Sequence, residues 1–423
     1  MSTETAVAAE PAAGPPTLDW AQARSRVYEA GVAAAPEPVG SPVAEADGET
    51  LAEPLATLTD LPAFPTSSVD GWAVRGAAPW RIVGRVLAGS TPPPLTSDGT
   101  AVEIATGAMV PDGAAGVLRV EESTRTAEGL VAGTLRAAPE WRAPGEEAHA
   151  GEELLPAGTP VDPGVIGLAA SCGYDTLRVR RAPRAALIIF GDELLTAGRP
   201  GDGRVRDSLG PAVPAWLRRY GCTITSADVV GPVADTLTAH VDALRQGLAA
   251  ADLVCTTGGT MHGPVDHLHP ALRELGAEYV VNTVAVRPGF PMLLARVVGA
   301  DGRIRFVAGL PGNPQSAIVA IVSLVAPLLA GLRGRAMPEL PRVTLAEPVP
   351  GRGDHTHLAL VRVDVADNTA TPVRHVGSAM LRGLAGAQGF AVIAPGTRGE
   401  PGDRVPLVPL PLLPGERVQG GAR

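Results

Sequence analysis

Three stretches, LVCTTGGTMHGPVD (253–266), TVAVRPGFP (283–291) and RFVAGLPGNPQSA (305–317), decide how this chain folds. Each apolar run within or just before them (253–257, 279–286 and 304–308) has the length and branched character of a buried strand. Gly258 and Gly259 let the backbone turn tightly after the first run. After the third, Gly309-Leu310-Pro311-Gly312-Asn313-Pro314 leads into a helix whose first turn suits Pro314. Strand ends that open onto helix N-termini form pockets for phosphate-bearing ligands, so the three loops are expected to line one site.

Outward from this segment, the chain alternates regularly from about residue 183. Residues 185–190 are strand-like, and 208–220 read as a helix that Asp207 can cap. Residues 222–230 are strand-like again, and 236–250 form a helix with Leu237, Val241, Leu244 and Leu248 at helical spacing. A further helix is expected over 265–275, and an apolar one over 315–332 closes the unit. The alternation predicts a parallel sheet covered by helices on both faces. Before it, a helix runs from Asp19 to about residue 35. Short alternating runs with many turn signals follow. Beyond residue 341, short apolar runs separated by Gly and Pro show no helical period. The expected organisation is a disordered tail (1–16), a mixed N-terminal domain (17–52 and 143–182), an inserted β-rich domain (53–142), the α/β domain (183–335) and a C-terminal β domain (336–423). The fold class is α/β plus β.

Composition bounds the function. At 423 residues the chain exceeds one ordinary core. Its net charge of −9, without a basic patch, argues against nucleic acid as a partner. Lysine is absent, so all 35 basic residues are Arg. Cys172, Cys222 and Cys255 lie far apart with no CxxC pair, as expected of buried, reduced thiols in a cytoplasmic protein. No signal peptide is expected. The apolar run 317–332 is short for a bilayer and contains Pro327, so it is read as a core helix rather than a membrane span.

Candidate chemistry clusters around the loops. Asp266 follows the Gly258-Gly259 turn at the start of a helix, where the helix dipole favours an acid. Asp192 and Glu193, at the carboxyl end of the 185–190 strand, either hold a hydrated Mg2+ beside phosphates or are solvated loop acids. Asp207 and Ser208 can cap a helix. His262, His267 and His269, with His355 and His357, have spacings that a transition metal tolerates, but no Cys accompanies them and solvent-facing or substituted positions are the preferred account. No Ser/His/Asp triad, P-loop or activated Cys is visible. Chemistry would rest on metal-ion and electrostatic stabilisation of a leaving group.

The motifs SSVDGWAVR (67–75), EIATGAMVPDGA (103–114), TTGGT (256–260), VRPG (286–289) and LPGNPQSA (310–317), with Gly351-Arg352-Gly353 and Gly377-Ser378, resemble the molybdopterin molybdenumtransferase family, which includes the E domain of gephyrin-type proteins. The resemblance covers nearly everything after residue 16. It implies an enzyme that binds adenylated molybdopterin, takes up molybdate and releases AMP with Mg2+ assistance. It implies a homodimer in which Asp70 and Thr106 reach the partner's site, with molybdopterin adenylyltransferase as a further partner. The roles it carries over are catalytic for Asp266, Glu193, Asp70 and Thr106, with Asp266 and Glu193 as metal ligands. It makes Asp207, Ser208, Gly258, Gly259, Arg287, Pro288, Gly289, Pro311, Gly312, Asn313, Arg352 and Ser378 ligand-binding. The chain departs from the family pattern at Met261, Pro264, Phe290 and Gly231-Pro232, and Phe290 replaces a basic residue where the family holds molybdate. Two alternatives stay beside the enzyme: a non-catalytic carrier of molybdopterin or its adenylate, and a nucleotide pyrophosphatase.

Overall fold

The computed structural model describes residues 17–261 and 266–411; the expected tail over 1–16 lies outside them, as do His262 and Pro264. The described chain divides into two compact units, one formed by residues up to Pro38 together with those from Arg180 onward, the other by Val39–Val179.

The larger unit opens with helix α1 (Trp20–Ala33), whose N-cap Asp19 accepts a hydrogen bond from the Gln22 amide. Its elements then run β1 (Ala185–Phe190), α2 (Leu209–Arg219), β2 (Val229–Val233), α3 (Leu237–Ala250), β3 (Leu253–Thr257), α4 (Leu268–Glu274) and β4 (Glu278–Asn282). The chain continues through β5 (Val286–Arg287), β6 (Leu293–Val298) and β7 (Ile304–Leu310) into helix α5 (Pro314–Leu332). The main sheet has the order β2-β1-β3-β7-β6-β4. Its first four strands are parallel, whereas β6 runs antiparallel to both of its neighbours, β7 and β4. The expected parallel sheet is therefore mixed. Alternate residues of β1 enter different cores: Ala185, Leu187 and Ile189 pack on the α2 and α5 side, Ala186, Ile188 and Phe190 on the α3 and α4 side. Both faces are buried, which is why the run reads as continuously apolar.

Helix α5 is entirely buried, as a core helix should be. It widens into a π turn at Ile321–Val325 just before Pro327, where an imino nitrogen cannot donate to the preceding turn. Helix α1 lies against it. Trp20 Nε1 donates to Ser323 Oγ (2.8 Å) and Arg24 donates to the Val322 carbonyl (3.1 Å) inside that irregular turn. Gly31 and Gly331 face each other's helices closely enough that a Cβ on either would strike backbone.

Two sequence expectations fail locally. Strand character over 222–230 is confined to Val229–Val233, because Thr225 and Asp228 cap a 3-10 turn at Ser226–Asp228 reciprocally and satisfy the backbone there. The run 279–286 is broken at Thr283, which has φ +66° and turns the chain out of the main sheet. The next residues, β5, join a second sheet instead. That sheet contains β8 (Arg342–Leu345), β9 (Thr356–Asp364), β10 (Thr369–Pro372), β11 (Gly389–Ile393) and β12 (Arg404–Pro409). Its order is β5-β9-β10-β8-β12-β11, and a β9–β11 pairing closes it.

In the smaller unit, a six-stranded sheet includes Gly71–Arg75 paired antiparallel with Thr100–Ile104 and with Gly116–Arg119. A three-stranded sheet contains Val39–Pro42 and Thr176–Arg180. The three cysteines are buried and free. Burial pushes the Cys222 thiol up to about 12, so it is not a nucleophile at neutral pH.

Candidate functional site

The glycines at the end of β3 create the first cavity. Gly258 (φ +86°) and Gly259 (φ +69°) both adopt left-handed backbone that a side chain disfavours. Gly312, at the end of β7, lies against Gly258 so closely that its hypothetical Cβ would be 3.7 Å from the Gly258 Cα. The result is a cavity of about 570 Å³ at the carboxyl ends of β1, β3 and β7. Glu193, Asp207, Ser208 and Asp266 line it, with Gly258, Gly259, Gly312 and Asn313. Arg206 also faces it, a residue the sequence reading passed over although it precedes Asp207 directly.

Asp207 is nearly buried, and its Oδ1 accepts the Leu209 and Gly210 amides at 2.9 Å each. It therefore caps α2, and a carboxylate at a helix N-terminus is also favoured by the helix dipole. Asp266 precedes α4, which begins at Leu268 rather than at 265. Phe190 forms part of the cavity wall and stacks on His240 with ring centroids 3.7 Å apart. His240 is fully buried and neither ring nitrogen makes a hydrogen bond; Asp235 Oδ1 is 3.7 Å from Nε2. Burial holds its pKa below the ordinary histidine value, with Asp235 opposing. The Asp235 Oδ2 accepts the Asp192 amide (3.3 Å), anchoring the loop that carries Glu193. Asp192 itself is not in the cavity wall.

The second cavity, about 520 Å³, lies where β5 meets the C-terminal sheet. Arg287, Pro288, Arg352, Ser378, Gln315 and His357 line it, and no carboxylate does among the described residues. Here the expectation of one pocket lined by three loops is corrected. Thr283 diverts the second loop, so Arg287 and Pro288 sit with Arg352 and Ser378 in this cavity, apart from Gly258 and Gly259. Gly289 and Pro311 line neither cavity. Gly289 (φ +102°) packs against Met292, Val319 and the Ser316 carbonyl. Phe290 also lies outside the wall. Its ring carries the Arg287 guanidinium on its face (5.1 Å) and meets the edge of His355 (5.6 Å).

The two cavities adjoin. Pro314 lines one and Gln315 the other; Ala379 lines one and Ser378 the other. The Ser378 carbonyl accepts the Gln315 amide (2.9 Å), so the first turn of α5 is closed by protein rather than left open to an anion. Segment 373–378, missed apart from Gly377 and Ser378, is irregular and has no sequence signature. His357, expected as a metal ligand or a solvent-facing residue, is a wall residue. No group of three or more His, Cys, Asp or Glu converges as a metal site among the described residues.

Asp70 and Thr106 come together at one end of their sheet, next to the paired residues Gly71 and Ile104. Asp70 Oδ1 accepts from the Thr106 amide (2.6 Å) and hydroxyl (2.9 Å). Those two donors hold its carboxyl below the usual carboxylate range.

Family models match three successive stretches: the MoeA N-terminal region (domain I and II) over 18–173, a probable molybdopterin binding domain over 186–331, and the MoeA C-terminal region (domain IV) over 342–410. A molybdopterin molybdenumtransferase of Staphylococcus epidermidis is 30% identical over 374 residues, covering 84% of this chain and 87% of the relative. The chain belongs to the molybdopterin molybdenumtransferase family. A Staphylococcus aureus protein of the same name is 28% identical over 368 residues, covering 82% and 85%. The molybdopterin biosynthesis moea protein of Pyrococcus horikosii shares the fold, with a TM-score of 0.75 at 24% identity over 94% of this chain and 100% of that one. The family's probable molybdopterin binding stretch holds the loops of the first cavity, and its domain IV stretch holds Arg352, His357 and Ser378.

Proposed function

We propose that this chain inserts molybdenum from molybdate into adenylated molybdopterin and releases AMP, acting in molybdenum cofactor biosynthesis. The names carried by its relatives support this class of enzyme. The observation that carries the reading is the pair of adjoining cavities with opposite electrostatics. The glycine-lined cavity suits the pterin-adenylate, because loops without side chains let a phosphate approach backbone. The arginine-lined cavity suits a dinegative tetrahedral oxyanion, since guanidinium forks match its oxygens.

The donor set of the first cavity does not make a closed metal cage. It fits a Mg2+ held largely by ligand phosphates, with Glu193 and Asp266 as its protein ligands. Bound there, Mg2+ would neutralise charge developing on the departing adenylate. Asp207 stays engaged with α2, and Arg206, directly before it, adds a cation to the cavity wall. Arg287 and Arg352 hold molybdate, and the shared wall at Pro314-Gln315 and Ser378-Ala379 sets the two substrates side by side. Proximity of this kind is a large part of what such a site contributes.

The working form we propose is a cytoplasmic homodimer supplied by molybdopterin adenylyltransferase, with Asp70 and Thr106 completing the partner's site. The deciding experiment incubates the protein with adenylated molybdopterin, Mg2+ and molybdate, and measures AMP release. Molybdate-dependent release supports the proposal. Tight binding of the adenylate without release would identify a carrier instead, and release indifferent to molybdate a pyrophosphatase.

A further inference from the structure

Within the arginine-lined cavity one wall residue has a proton state set by the fold. His357 lies on β9 in register with Arg287 on β5, so the two side chains stand next to each other on neighbouring parallel strands. Both line the cavity, and His357 is nearly buried. Its Nδ1 is 2.7 Å from the Pro350 carbonyl. A carbonyl only accepts, so Nδ1 carries the hydrogen, and the neutral ring leaves Nε2 as a lone pair.

We propose that His357 is a proton-coupled third cation of this cavity, taking up a proton at Nε2 when a dinegative oxyanion binds between Arg287 and Arg352. The inference rests on the reading of this cavity as an oxyanion site. A lone pair at Nε2 would repel the oxygens of the anion, whereas an Nε2–H would donate to one of them. The empty cavity favours the neutral ring: burial lowers the pKa, Arg352 lowers it further, and the Pro350 carbonyl only partly opposes them. A bound dianion reverses the balance by offsetting the arginine charge and accepting the new hydrogen bond. The groups that face His357 are few. Arg287 comes from β5 and Arg352 from the preceding loop; β11 presents Ile393 across the strand pair, and Pro372, Val373, Val376, Gly377 and Ser378 do not titrate. No carboxylate of the cavity wall competes for the proton among the described residues.

The test is calorimetry of sodium molybdate binding to the full chain between about pH 6.5 and 8.5, a window set around the ordinary histidine range, in two buffers of different ionisation enthalpy. The expected wild-type affinity falls by up to about tenfold per pH unit as pH rises, because binding is linked to one proton. The buffer comparison should show uptake of a proton approaching one. His357→Gln should bind with a nearly flat pH profile and no uptake, while Arg352→Gln should bind more weakly at every pH and keep the slope. Molybdate binding by the wild-type protein without proton uptake overturns the proposal, whatever the variants do. So does a His357→Gln protein that retains both slope and uptake. In either case sensitivity to Arg352→Gln leaves the oxyanion site standing. A wild-type protein that binds no molybdate at any pH defeats the site reading and the proposal together.

Discussion

The two cavities of the larger unit adjoin at the first turn of α5, yet they are built from opposite materials. The first is made by main-chain turns, with Gly258, Gly259 and Gly312 keeping side chains away and Glu193, Asp207 and Asp266 supplying negative charge. The second is made by side chains of β5, β9 and the loop before β9, with Arg287, Arg352 and His357 and no carboxylate among the described residues. A mixed pocket would let Asp266 and Glu193 pair with Arg287 and Arg352, and the ligand would then have to break those ion pairs. Separation by the Pro314-Gln315 and Ser378-Ala379 wall keeps the carboxylates of the first cavity apart from Arg287 and Arg352 of the second.

The largest expected effect comes from abolishing the positive cavity. In Arg287→Gln/Arg352→Gln, two charge-assisted contacts are lost, each worth about 1.5–3 kcal/mol, so half-saturation by molybdate should rise by at least about a hundredfold. Binding of the adenylate, measured by calorimetry without molybdate, should stay close to the wild-type value. Equal losses for both ligands would mean that the two cavities act as one and would end the comparison.

Asp266→Asn tests the other side. Removing one carboxylate should weaken adenylate binding in the presence of Mg2+ by about ten- to a hundredfold, with molybdate binding and the melting temperature nearly unchanged. A large drop in melting temperature with unaltered affinity would assign Asp266 to the start of α4 instead.

Parts of this arrangement are legible in the sequence for physical reasons. Ala185–Phe190 and Leu253–Thr257 are buried on both faces, so burial itself writes a continuous apolar run. Asp207 announces its capping role because it directly precedes a helical pattern. The division into two cavities is not legible. It depends on Thr283, a β-branched residue at positive φ that no local rule favours, and on β5 pairing with β9 some 70 residues later, since Arg287 lies opposite His357. The role of His357 depends in turn on that register and on the Pro350 carbonyl, neither of which a spacing rule contains. Gly289 and Pro311 mislead in the opposite way: both belong to recognisable loops, yet they serve packing rather than a cavity wall.

A third prediction concerns the support behind the first cavity. His240 is buried, stacked on the cavity residue Phe190, and depressed in pKa, so the folded state binds fewer protons than the unfolded state below the ordinary histidine value. Its contribution is therefore intact above about pH 6.5 and is lost progressively as pH falls toward the folded-state value. Thermal melts between about pH 7.5 and 5 should show a decline that His240→Phe makes shallower. An unchanged decline would mean that other groups set the acid limit.

The smallest effect sharpens the second cavity most. By the family resemblance Phe290 stands where a basic residue is expected, and that expectation predicts weak molybdate affinity and slow insertion, reversed by Phe290→Lys. The structure places the ring outside the cavity wall, beneath the Arg287 guanidinium at 5.1 Å and against the His355 edge. A ring in that position orients an arginine rather than replacing a charge. An exposed cation–π contact is worth about 0.5–1 kcal/mol, so Phe290→Leu should raise half-saturation by molybdate only about two- to fivefold. Phe290→Lys should also weaken binding, because an ammonium beneath Arg287 repels the guanidinium that the ring holds. The measurement is AMP release against molybdate concentration for the three proteins. Tighter molybdate binding in Phe290→Lys would restore the charge-replacement view and show that the cavity extends to residue 290. A weakening in both variants, with adenylate binding intact, would establish the ring as the platform on which Arg287 is positioned.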